Sequence, residues 1–189
     1  MYASAHDVAA ALRDRLPGLG AKKLHKLLYY CQGHHLASFG TPLFTEAIGA
    51  WDMGPMVERL WRDEKYGTPP RQHADLDEAA LNTIGYVVSR YGALTGGDLE
   101  IMTHGEPPWQ AAEAGRSSRE QSPIRHEWMR DYFRAGGAPD DGVDGPLPEP
   151  ALMSAWLREG AGGGATPDAT PDGPEDSLDE LRAWAARGA

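Results

Sequence analysis

Apolar residues recur at helical spacing through most of the first 135 positions, and the breaks between the stripes fall at glycine and proline. Val8, Leu12 and Leu16 share one face of a segment at 6–16, with Ser4 or Asp7 placed to cap its start, and Pro17, Gly18 and Gly20 end it. A second helix is expected over 21–39. There Leu24, Leu27, Leu28, Cys31 and His35 follow at i, i+3, i+4, i+7 and i+11, and Gly40 stands where a left-handed cap residue belongs.

Positions 41–44 read as a turn and 47–51 as a short strand. Gly54-Pro55 is expected to open a third helix reaching about residue 66, because proline suits a first helical turn, with Met56, Val57, Leu60 and Trp61 as its buried stripe. A loop at 67–75 leads to a helix over 76–91 carrying Leu81, Ile84, Val88 and Tyr91 on one side. A shorter helix at 97–104 is expected to stop at the Pro107-Pro108 pair. Ser122-Pro123 starts a last helix ending near 135, with Ser122 as its N-cap. The expected class is mainly α: a compact helical domain over 1–135 with at most a short β element.

After residue 135 the pattern changes. Two stretches rich in Gly, Pro and Asp, at 136–150 and 160–174, read as linkers. Beside them lie two short amphipathic segments, near 151–158 and 176–187, containing Trp156 and Trp184. Helices this short need something to pack on. They either dock on the chain's own domain or serve as anchors that fold against a partner. Charge divides at the same boundary. Residues 1–135 carry 17 acids and 15 Lys or Arg, a balance of −2, whereas 136–189 carry 11 acids and three arginines, a balance of −8. The total of −10 disfavours nonspecific contact with nucleic acid or an anionic membrane. No run approaches a membrane span, the N-terminus lacks the pattern of a signal peptide, and the single cysteine, Cys31, has no partner for an intramolecular disulfide. A cytoplasmic protein is expected.

Enzyme signatures are sparse. The chain has no G-x-S-x-G, no phosphate-binding glycine loop and no H-E-x-x-H. Cys31 with His34 and His35 could suggest a thiol nucleophile or a metal site. Cys31, however, lies on the apolar stripe of the second helix, no second ligand pair follows at finger-like spacing, and His25, His73, His104 and His126 are scattered. No metal, cofactor or catalytic residue is expected. Lys22, Lys23 and Lys26 form a small basic face, read as solvated surface rather than a nucleic-acid site.

Three segments stand out. In KLHKLLYYCQG, adjacent tyrosines (Tyr29, Tyr30) precede Gly33, a mid-helix glycine that implies a close packing contact. In AWDMGPMV, Trp51 precedes Gly54-Pro55, and in MTHGEPPW, His104 and Trp109 flank a proline pair. With KLHKLLYYCQGHHLASFGTPLF, AWDMGPMVERLW and THGEPPW in this order, the chain resembles the Panacea domain, the SocA-like antitoxin domain of type II toxin–antitoxin systems, over roughly residues 5–135. The resemblance implies a mostly helical domain that neutralises a toxin protein, encoded by an adjacent gene, through direct protein–protein contact. Delivery of the toxin to a protease is an alternative, and a metal- or thiol-dependent enzyme a more distant one. The resemblance also marks Tyr29, Tyr30, Trp51, Gly54, Pro55, His104 and Trp109 as signature surface and scaffold, with no catalytic role. Exposed aromatic members of that set are the better candidates for toxin contact.

Overall fold

Helix α2, Ala21–Phe39, is the post on which the other elements stand: 14 of its 19 residues are buried, so it meets protein on every side rather than along one stripe. The computed structural model describes residues 3–67, 75–116 and 122–136. In chain order these are α1 (Ala5–Arg15), α2, β1 (Ile48–Trp51), β2 (Gly54–Val57), α3 (Glu58–Lys65), α4 (Glu78–Tyr91), α5 (Gly96–Gly105), α6 (Pro107–Ala114), β3 (Ser122–Pro123) and α7 (His126–Arg134). Helices α1, α4, α5 and α7 and strand β2 all pack on α2. The class is mainly α, with one small antiparallel sheet ordered β2-β1-β3. The short helices expected near 151–158 and 176–187 fall outside the described residues.

The first helices form as their sequences dictate. Ser4 and Asp7 act together as a capping box at the start of α1. Gly40 closes α2 in the left-handed conformation, its N–H bonded to the Leu36 carbonyl. Val8, Leu12, Leu24, Leu27, Leu28 and Cys31 lie in one continuous core.

Three expectations are overturned. The segment at Gly54-Pro55 does not open a helix; it is strand β2, pairing Ala50 with Pro55 and Trp51 with Gly54. Gly54, at φ +95°, turns the chain back after Asp52 and Met53, and all four β2 residues are buried. Proline is tolerated because β2 is an edge strand. The edge is covered by α2 side chains: the Val57 N–H donates to His25 Nδ1 at 3.2 Å, and Lys26 Nζ donates to the Pro55 carbonyl at 3.5 Å. The helix proper, α3, begins only at Glu58.

As expected, the helix before the proline pair stops there: α5 ends at Gly105 and Glu106 is extended, and the pair then fills the first turn of a further helix, α6, where missing N–H groups cost no hydrogen bond. Ser122 is no N-cap. Ser122-Pro123 forms β3 against Gly49 and Ala50, Ile124 continues with a 2.8 Å bond to the Ile48 carbonyl, and α7 starts at His126. In α4 the N-cap is Asp77, and the inward residues are Ala80, Thr83, Ile84, Val87 and Tyr91, leaving Leu81 exposed. Among the described residues no helix is long and apolar enough to cross a membrane.

Candidate functional site

The polar residues of α2 make a second framework inside the apolar one. The Tyr29 and Tyr30 hydroxyls, both fully buried, donate to the two carboxylate oxygens of Glu106 at 2.7 and 2.8 Å. Glu106 sits at the joint between α5 and α6, so its carboxylate ties that corner to the centre of α2. Burial raises its pKa to about 7, while the two tyrosine hydrogen bonds favour the charged form and hold back the rise. Burial, reinforced by the facing carboxylate, pushes both phenols well above their ordinary range. Tyr91 of α4 stacks on Tyr30 with centroids 4.1 Å apart, and its hydroxyl meets His34 Nε2 at 3.0 Å. One carboxylate thus links α2 to α6 directly and extends to α4 through stacked rings.

Two further α2 residues fix neighbours. Gln32 accepts from the N–H groups of Leu43 and Phe44 and donates to the Phe44 carbonyl, holding the chain after α2 much as a strand partner would; its amide nitrogen also lies 3.1 Å from His126 Nε2. Gly33 makes the close contact its position implies: a Cβ there would fall 2.1 Å from the Phe133 ring, so α7 seats Phe133 in a slot only glycine leaves open. The lysines depart from the solvated-face reading. Lys26 is buried, and Lys23 Nζ donates to the Gly92 carbonyl at 3.0 Å, placing its charge at the C-terminal end of α4.

The seven signature residues separate by depth. Tyr29 and Tyr30 are interior. Gly54 and Pro55 are buried beside Lys26, where a Cβ on Gly54 would lie 2.8 Å from Lys26 Cε and 2.9 Å from Thr103 Oγ1. His104 stacks on Trp109 at the α5–α6 corner, centroids 4.3 Å apart, and burial lowers its pKa. Trp51 is half-buried, and with Met53 and Trp61 it forms a small cluster around Ala21 and Met56, separate from the main core. Lys65 lies over the Trp61 ring at 4.6 Å and over Tyr66 at 5.5 Å, and Tyr66 is 70% exposed. This face carries two tryptophans, a methionine and a tyrosine at least partly open to solvent, a composition favoured at the centres of interfaces.

Glu106 and Gln32 escaped the sequence reading, and Lys26, expected on a solvated face, is buried. An isolated glutamate before two prolines carries no periodic signal, and its role depends on residues 76 and 77 positions away.

The residues considered for thiol or metal chemistry are spent on structure. Cys31 is completely buried and its thiol is pushed up by burial, whereas a nucleophile needs the thiolate. Burial, then the nearby Arg90 charge, lowers His34 to about 4, and His35 Nδ1 bonds Thr83 at 3.0 Å. Among the described residues no three His, Cys, Asp or Glu side chains gather to hold a metal.

Against known proteins, residues 24–110 match the family model described as antitoxin SocA-like, Panacea domain. The match runs from the middle of α2's first turns, through the sheet hairpin, to the first half of α6, and so includes all seven signature residues and Glu106. Neither a curated protein nor a solved structure gives a match.

Proposed function

We propose that this chain, which carries an antitoxin SocA-like Panacea domain over residues 24–110, is an antitoxin that neutralises a cognate toxin protein by binding it directly in the cytoplasm, the toxin being the product of an adjacent gene. The observation that carries the reading is the family match itself, across the segments that build both the buried Tyr29–Tyr30–Glu106 clamp and the half-open Trp51 surface. Inhibition by contact asks for a rigid platform and a few exposed anchors that lose water on binding. The clamp supplies rigidity. Trp51, Met53 and Trp61 supply anchors, held in place by a hairpin and a helix rather than by a loop.

In this reading Tyr29, Tyr30, Gly54, Pro55, His104 and Trp109 act on the toxin through the shape they give the surface, and Trp51 acts by touching it. The test is co-expression of the neighbouring gene's product in a bacterial host with and without this chain. Growth arrest relieved only by the chain, with co-purification of both proteins, is the expected outcome. A harmless neighbour that never co-purifies would overturn the proposal. Within the same assay, Trp61→Ala should weaken rescue while leaving the melting transition nearly unchanged.

A further inference from the structure

We propose that the surface formed by Trp51, Met53, Trp61 and Lys65 is the docking site of this chain's own acidic segment at 177–186. The contact is intramolecular and stands whether or not the partner is a toxin.

The surface asks for an apolar occupant with a carboxylate. Trp51, Met53 and Trp61 remain only partly covered around Ala21 and Met56. The charges of α3 are otherwise matched: Glu58 pairs with Arg62, Asp63 with Arg59 at 3.0 Å and with His6 at 3.4 Å, and Glu64 with Arg13 at 2.8 Å. Lys65 differs, since among the described residues its ammonium meets only the faces of Trp61 and Tyr66. A carboxylate brought to the edge of these rings would complete the cation's surroundings.

The chain contains a segment of that chemistry. Leu178, Leu181 and Trp184 fall on one side at helical spacing, and Glu175, Asp176, Asp179 and Glu180 crowd the beginning of the same stretch. The other tryptophan-bearing stretch, around Trp156, offers a comparable apolar side but fewer acids, Glu149 and Glu159, with Arg158 between them. Lys65 therefore favours the later segment.

Reach is sufficient. The end of α7 lies near the C-terminal end of α2, where Arg134 contacts the Ala37 carbonyl, whereas the docking surface includes Ala21 at the N-terminal end. The separation is about the length of α2, roughly 28 Å at 1.5 Å per residue. The 40 residues from 137 to 176 reach at most about 130 Å as a covalent chain, well beyond that separation. Covalent attachment makes such a contact intramolecular and independent of protein concentration. A partner that uses the same tryptophans must displace the segment, and the acidic stretch becomes a built-in competitor.

The experiment uses the full-length chain alone and reads the indole N–H resonances of its tryptophans. Leu181→Asp and Trp184→Ala should each shift the Trp51 and Trp61 resonances and leave Trp128 in place, and Lys65→Glu should reproduce the shift. Trp156→Ala should not. An unchanged melting transition in the Leu181→Asp and Trp184→Ala variants keeps loss of fold from confusing the result. Trp51 and Trp61 resonances identical in all variants would overturn the proposal. So would shifts that depend on protein concentration, which would place a second copy of the chain on this surface instead.

Discussion

The two clusters of aromatic residues in this protein are built from neighbouring motifs, yet one is closed and the other is left open. Around Tyr29 and Tyr30 every polar atom meets a designated partner and solvent is excluded. Around Trp51 and Trp61 the packing is shallow, only Ala21 and Met56 are fully covered, and a lysine rests on the rings. Burial without a partner is costly for a hydroxyl, so the inner cluster must be complete to fold at all. The rings of Trp51 and Trp61 are only partly covered, and they lie outside the main core. The closed cluster and the partly open one thereby lie on different sides of the same hairpin and helix.

The sharpest way to break this contrast is to remove the inner carboxylate. Glu106→Ala leaves two buried phenol hydroxyls unsatisfied, at about 1–3 kcal/mol each, so a loss of about 4 kcal/mol is expected in urea unfolding. Much smaller losses would mean that the α5–α6 corner relaxes and lets water reach the tyrosines.

Titration gives the next largest effect. The folded pKa of Glu106, about 7, lies above its ordinary 4.5, so its contribution is fully present below about 4.5 and is lost as pH rises through 7. The histidines act oppositely. His25, lowered to about 3 chiefly by burial, and His34, lowered to about 4, contribute fully above 6.5 and lose that contribution as pH falls through their folded values. Between pH 5 and pH 8 the stability difference between the native chain and Glu106→Gln should therefore shrink by up to about 3 kcal/mol. A difference flat with pH would show that the tyrosine bonds fully offset burial, and one that grows with pH that they outweigh it.

Gly33→Ala probes the slot rather than the charge. Its Cβ collides with the Phe133 ring, so displacing α7 should cost about 2 kcal/mol despite alanine's better helix propensity. Trp61→Ala should be the mildest of the four, about 1 kcal/mol or less by thermal unfolding, because its ring is only partly covered and lies outside the main core. If it unfolds the domain, the outer cluster is core after all and the contrast between the two regions fails.

Helix positions could be read from the chain wherever one face was apolar, as with Leu24, Leu27, Leu28 and Cys31, or wherever a cap residue was correctly placed, as with Ser4 and Gly40. The reading failed where one residue type serves two local structures. Proline at 55 suits an edge strand as well as a helix start, and proline at 107–108 begins a helix as readily as it ends one. Serine at 122 looks like a cap until β1 claims it, a pairing with residues 72 and 74 positions earlier that no local window contains. The signature residues were visible as a set, but their division into interior and surface was not. Depth depends on Glu106 and Lys26, side chains of types that usually remain in water.

The central position of α2 bears on how this protein comes apart. Because α1, α4, α5, α7 and β2 all rest on it, stripping any one of them exposes the same helix, and the remaining contacts lose their common support. Amides in the middle of α2, from Leu27 to Gly33, should exchange with solvent only when the whole domain opens, at the rate and free energy of global unfolding. A protease would then find either the intact fold or a fully opened chain, and the lifetime of the domain would be set by one cooperative event rather than by a series of nicks.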